Sequence, residues 1–244
     1  MISEDDFVKS SMSIFQQIAL NLKKASFLVL LIVSSLLIRG QKISNIPILK
    51  GDTSSFYLST RILGQKMELP DLRTSTQPFH FRFWTFGQAL DIWVEEKNKL
   101  QGQITNYAKV YNKNNKPGEG RIFTNVVPLD VAKLVMVLNL LKQYKINEVP
   151  SDNQVPGWKW NMKGWNFGFE TNTPKEYTFK SYWTPMAQLD TVKGAEAIRK
   201  FTDALLLELN MNAVYVTLTT TLPEGKYTND GYGILEIKKK DNYR

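Results

Sequence analysis

His80 is the only histidine in the chain, and a lone imidazole is a natural general base or metal ligand. Nothing in the sequence completes either site. There is no second histidine and no cysteine for zinc, and the acidic residues show no ligand spacing. No serine sits in a GxSxG-like elbow, and no GxxxxGK[ST] phosphate loop occurs. The expected role of His80 is therefore a surface cross-strand pair with Glu95. A second candidate is the carboxylate pair Glu170 and Glu176, which flanks the turn TNTPK at Thr171–Lys175. Two facing carboxylates can do acid–base chemistry. Glutamates beside a turn are more simply solvated, with Lys175 or Lys180 at hand to relieve their like charge.

The third candidate is aromatic. The stretch Gly157–Pro185 holds Trp158, Trp160, Trp165 and Trp183, four of the six tryptophans. Trp158, Trp160, Tyr182 and Trp183 lie near Gly, Pro and Lys, where rings can stack on sugars or cap an apolar ligand. These four are the expected ligand-binding residues. Trp165, Phe167, Phe169, Tyr177 and Phe179 read instead as core, because a sheet face of such rings buries a large area.

Two hairpins must position these residues. In the first, FHFRFWTF and ALDIWVEE flank Gly87–Gln88, with glycine at the first place of a two-residue turn. That closure pairs Phe83 with Ile92 and Phe81 with Val94. Its other face pairs Trp84 with Asp91, Arg82 with Trp93 and His80 with Glu95, and it sets Arg82 over Trp93 as a cation–π contact. In the second, closing TNTPK with Glu170 opposite Glu176 sets Phe169 against Tyr177 and Phe167 against Phe179. Gln103–Tyr111 adds a third strand to the first hairpin. Strands are also expected at Phe56–Leu63, at Ala213–Thr221, where Val214, Val216 and Leu218 alternate with Thr and Tyr, and at Tyr232–Lys239.

Two helices are expected. Leu129–Tyr144 places Val131, Leu134, Val135, Leu138 and Leu141 at helical spacing, with Pro128 in a first-turn position. Val192–Leu209, capped by Asp190 or Thr191, aligns Ala195, Ile198, Thr202, Leu205 and Leu209. Amphipathic helices need a sheet to cover. The fold expected for residues 56–244 is a single α+β domain: a curved, mostly antiparallel sheet with both helices packed on one face. Residues 42–55 read as a linker. Asn112–Gly120 and Leu222–Gly231 read as loops.

The first 41 residues read as a leader. Lys23 and Lys24 precede Ala25–Ile38, a run of 14 uncharged residues, and then Arg39–Gly40. This is the order of a secretory signal peptide. The run falls short of the roughly 20 residues a spanning helix needs. A start at Met12 would shorten the long n-region, and cleavage is expected after Gly40 or Gln41; an uncleaved anchor is the alternative. The expected location is periplasmic or extracellular.

The chain has 244 residues, 43% hydrophobic content, no cysteine and a net charge of +8. It is globular in composition, and disulfides and thiol catalysis are excluded. The lysines are scattered apart from the run Lys238–Lys240, which reads as a solvated tail; with an export leader, the basic balance points away from nucleic acid and to an anionic glycan or membrane headgroup. No cofactor is implied. Three functions follow. The first is an exported, non-enzymatic binding module for a glycan, peptide or lipid. The second is a structural or interaction component of the cell envelope. The third is a hydrolase using an unidentified carboxylate pair. Exposed rings at Trp158, Trp160 and Trp183 favour the first, and buried ones the second.

Overall fold

The computed structural model describes residues 42–49, 51–112, 120–160, 163–229 and 233–238, all within one compact unit, 42–244. The expected leader at 1–41, most of the loop at 112–120, and Lys239–Lys240 lie outside the described residues. In chain order come β1 (Ile43–Asn45), β2 (Ile48–Leu49), β3 (Asp52–Thr53) and helix α1 (Ser55–Lys66). Then follow β4 (Phe79–Thr85), β5 (Gln88–Val94), β6 (Leu100–Val110), β7 (Ile122–Pro128) and helix α2 (Val131–Gln143). The last elements are β8 (Asn166–Asn172), β9 (Glu176–Trp183), helices α3 (Ala195–Glu208) and α4 (Met211–Thr219), β10 (Gly225–Thr228) and β11 (Leu235–Ile237).

The fold is α+β. A nine-stranded sheet runs in the order β1-β9-β8-β4-β5-β6-β10-β11, with β7 also paired to β6. Every pairing in it is antiparallel except β1 with β9. β2 and β3 form a separate two-stranded ribbon, so the segment expected as a linker carries three short strands.

Strand side chains alternate between faces. One face carries Phe81, Phe83, Leu90, Ile92, Ile104, Phe167 and Phe169, all buried against Leu134 and Val137 of α2 and Ile198, Phe201 and Leu205 of α3. Burying one such phenylalanine contributes about 1.5–3 kcal/mol. Phe83 stacks on Phe167 with centroids 5.6 Å apart, and Phe169 meets Phe201 edge-on at 5.6 Å. α2 can lie this close because of Gly102: a Cβ there would stand 2.4 Å from Leu134 Cδ2. Asp130 caps α2 by accepting from Lys133 N at 2.9 Å, so Pro128 ends β7 rather than opening the helix. α3 starts just past Gly194, and Asp190 pairs with Arg199 instead of capping.

Both hairpins exist, in registers other than those expected. In β4–β5 the turn residues are Phe86 and Gly87, with Thr85 opposite Gln88, Phe83 opposite Leu90 and Phe81 opposite Ile92. Gly87 thus takes the second turn position, with φ +63. The slip is two residues, so every side chain keeps its face. In β8–β9 the register is shifted by three residues: Asn172 faces Tyr177, Glu170 faces Phe179 rather than Glu176, and Phe167 faces Tyr182. This slip is odd, and it sends Tyr177 and Phe179 to the opposite face from Phe167 and Phe169.

That second face is also covered. Tyr177 and Phe179 pack with Trp84, Ala89 and Tyr107 under Tyr57, Leu63 and Met67, from α1 and its end. The expected strand at Phe56–Leu63 is therefore a helix. Its buried residues Tyr57, Thr60, Leu63 and Gly64 recur at three to four. The expected strand at Ala213–Thr221 is likewise helical, as α4. Met211 and Leu218 are buried one heptad apart on the α2/α3 face of the sheet. The threonine hydroxyls there satisfy helix carbonyls: Thr217 Oγ1 donates to Val214 O at 2.7 Å and Thr221 Oγ1 to Leu218 O at 2.8 Å. β10 arises inside the stretch expected to be a loop and pairs with β6 beyond the β4–β5 turn, where Gly87 N donates to Asn229 O at 3.0 Å.

Candidate functional site

The four expected ligand-binding residues divide between core and surface. Trp158 is buried, its Nε1 donating to Trp183 O at 2.8 Å. Its ring lies 5.9 Å from that of Tyr182. Tyr182 is fully buried, its hydroxyl donating to Val149 O at 2.9 Å, and burial pushes the phenol well above its ordinary pKa. Both belong to the core under α2 and α3 and present no ring to a ligand. Trp160 is 48% exposed and donates through Nε1 to Asp152 Oδ2 at 3.1 Å. Asp152 also accepts from Trp183 N at 2.7 Å; burial raises its pKa against these hydrogen bonds. Trp183 lines a cavity large enough for a ligand.

That cavity lies between α1 and the sheet and measures about 490 Å³. Its helix wall is Phe56, Ile62 and Leu63. Trp84, Phe86 and Tyr107 come from the sheet and its turn, and Trp165, Asn166 and Trp183 from the start of β8 and end of β9. Gly168 lets two of these rings pack on the sheet: a Cβ there would stand 3.0 Å from the Phe56 ring and 3.2 Å from Trp84. The volume lies within the roughly 300–1,000 Å³ of small-molecule sites, which are mostly apolar with a few polar groups. Sequence reasoning missed the helix wall. Reading residues 56–63 as a strand hid it, although Ser54 in an N-cap position and apolar spacing of three to four were present in the sequence.

Behind Trp84 lies a buried ionic cluster. With the register observed, Arg82 stands opposite Asp91 and His80 opposite Trp93. Arg82 Nε donates to Asp91 Oδ1 at 2.7 Å, and His80 Nε2 donates to the same oxygen at 2.8 Å. His80 is buried rather than a surface partner of Glu95, and Arg82 lies over Trp84 at 5.5 Å rather than over Trp93. Burial works to raise the Asp91 pKa, but the Arg82 charge and the His80 hydrogen bond outweigh it and hold the carboxyl below its ordinary value.

Glu170 is buried too, accepting from Trp84 Nε1 and from the Tyr177 hydroxyl, the latter at 2.9 Å. Glu176 is exposed at the β8–β9 turn, so the two glutamates do not face each other. Lys180, expected to relieve them, donates instead to the carbonyls of Asn147 and Val149 at 2.8 and 2.7 Å. Among the described residues, no group of three or more His, Asp or Glu is placed to hold a metal ion. Among the described residues lining the cavity there is no carboxylate.

The sequence matches no protein-family model and no curated protein. No described helix is long and apolar enough to cross a membrane.

Proposed function

We propose that the chain is an exported, non-enzymatic binding module that takes a small, largely apolar ligand into the cavity beneath α1. The observation that carries this reading is the 490 Å³ space walled by Phe56, Trp84, Tyr107, Trp165 and Trp183. Rings of this size supply contact area at low entropic cost. The binding residues are then these five, with Trp183 the one retained from the sequence expectation. Export rests on the leader pattern at Lys23–Gly40.

The test is saturable binding of the neutral probe N-phenyl-1-naphthylamine to the full chain, read by probe emission. Ser59 lines the cavity and is exposed, so Ser59→Trp should block it while leaving the circular dichroism unchanged. Ser55→Trp, on the same helix outside the lining, should not. Equal binding by all three proteins, or none, refutes the cavity reading. For export, the mature chain should begin near residue 41 by mass spectrometry; an intact leader on cytosolic protein refutes it.

The burial of Trp158 and Tyr182 favours a second reading, an interaction component of the cell envelope with no small ligand. A stable fold with flat titrations puts that reading first.

A further inference from the structure

We infer that the chain pairs with a second copy of itself along β7, in antiparallel register about a two-fold axis at Thr124. The two long edges of the sheet differ. Along β9 the outward backbone groups are taken. Ile43 N donates to Lys175 O at 3.0 Å, and past β1 Ser181 N donates to Ser151 Oγ at 3.0 Å and Trp183 N to Asp152 Oδ2 at 2.7 Å. Along β7 they are not taken. Val110 N donates to Arg121 O at 2.9 Å and Leu129 N to Gly102 O at 3.0 Å, which fixes the phase of the β6–β7 ladder. Odd-numbered residues of β7 turn their N–H and C=O groups to β6, and Ile122, Thr124 and Val126 turn theirs outward. Among the described residues no strand pairs with that side.

Edge strands are normally blunted by charge, by proline, by a bulge or by a covering element. β7 reads IFTNVVP: it carries no charged residue, and its proline is the last position. Its seven residues pair with β6 without interruption, so it has no bulge. It is also held in place. Asn125 Oδ1 accepts from Asn106 Nδ2 at 2.6 Å, and Asn125 Nδ2 donates to Thr217 Oγ1 of α4 at 2.9 Å. The strand is self-complementary. Setting Thr124 against Thr124 of a second copy puts Ile122 against Val126, twice by symmetry, so β-branched side chains meet on one face. Phe123 meets Asn125 on the other face, and no like charges oppose. Val126 is 52% exposed and Thr124 is exposed, so both can be reached by a partner. An unrelated strand would find the same hydrogen-bonding groups; the matched side chains favour a copy.

The test measures the mass of the full chain by light scattering across a concentration series. The chain should approach twice the monomer mass. Thr124→Lys and Thr124→Glu each place like charges across the axis, and each should weaken association roughly tenfold or more. Circular dichroism should not change, because the Thr124 side chain is exposed and its N–H takes no part in the β6 ladder. Mixing the two variants should restore the dimer, since lysine then faces glutamate; a merely misfolded variant is not rescued this way. The chain has no cysteine, so a single introduced thiol reads cleanly. A hydrogen-bonded antiparallel pair sets its Cα atoms about 5.5 Å apart, within disulfide reach. Thr124→Cys should therefore oxidise to a covalent dimer, and Lys193→Cys, exposed elsewhere, should not. A monomer at every concentration, association unchanged in both charge variants, or a mixture that stays monomeric overturns the proposal. A monomeric chain whose Thr124→Cys variant cross-links to a different protein overturns self-pairing and gives this edge to a foreign strand.

Discussion

Asp91→Asn should destabilise the protein far more than a one-atom change suggests. Asp91 is buried and its Oδ1 receives both Arg82 Nε at 2.7 Å and His80 Nε2 at 2.8 Å. Asparagine keeps an oxygen for these donors but removes the charge opposite a buried guanidinium. The nearest remaining carboxylate is Glu170, 3.9 Å from Arg82 Nη1. Removing one member of a buried ion pair costs about 3–5 kcal/mol, and the retained hydrogen bonds favour the lower end. With a urea m-value of about 3 kcal/mol/M for a chain of this size, the midpoint should fall by about 1 M. Urea titration followed by tryptophan emission measures it.

The pair itself is not expected to be a net stabiliser, because Arg82 Nη2 and Asp91 Oδ2 are buried without hydrogen-bond partners. The double variant Arg82→Met/Asp91→Leu should therefore be at least about 2 kcal/mol more stable than the sum of its two singles. The pH dependence has a definite sign. The native Asp91 pKa lies below the ordinary 3.8, so its contribution is full above that value. It is lost as pH falls from there through the lower native value. Asp91→Asn should flatten that part of the acid limb. A loss under about 1 kcal/mol, strict additivity in the double variant, or an unchanged acid limb would refute this account.

Two further outcomes are expected. Gly87→Ala forces a side chain to φ +63, with its Cβ 2.5 Å from the Tyr215 ring and 2.9 Å from Asn229 Cβ. It should cost about 2–4 kcal/mol by denaturant titration, and an unchanged midpoint would mean the β4–β5 turn lies elsewhere. Trp158→Phe removes the hydrogen bond to Trp183 O and part of a buried ring, so Tm should drop by several degrees, from about 1–2 kcal/mol. Affinity for the naphthylamine probe should stay unchanged, and a selective loss of that affinity would return Trp158 to the ligand site.

Fold class was legible because hydrophobic periodicity over α2 and α3 survives small boundary errors. The β4–β5 faces were legible for a similar reason: an even slip in register preserves them, as Phe81, Phe83 and Ile92 show. The β8–β9 faces were not. TNTPK marks the turn without fixing its width, and the odd slip moved Tyr177 and Phe179 across the sheet. Clustering aromatics on one face made a persuasive pairing, but the molecule has two faces to fill. α4 was hidden because Val, Tyr and Thr favour strands, and only packing on Ala108 and Phe123 settles the matter. Half of the cavity was invisible with α1 misread. The ionic cluster needed the true register, since Arg82 meets Asp91 only when Thr85 faces Gln88.

The pairing of β1 with β9 has a consequence for assembly in time. Ile43 lies beside Glu176, and Lys42 Nζ reaches Ser75 O at 3.1 Å. A ribosome releases residue 43 long before residue 176, so this margin of the sheet stays unsealed through most of synthesis, and contacts so distant in sequence form slowly. Until β8 and β9 arrive, the β4 edge on which β8 will pair is open to a strand from another chain. Crowded nascent copies would mispair there first.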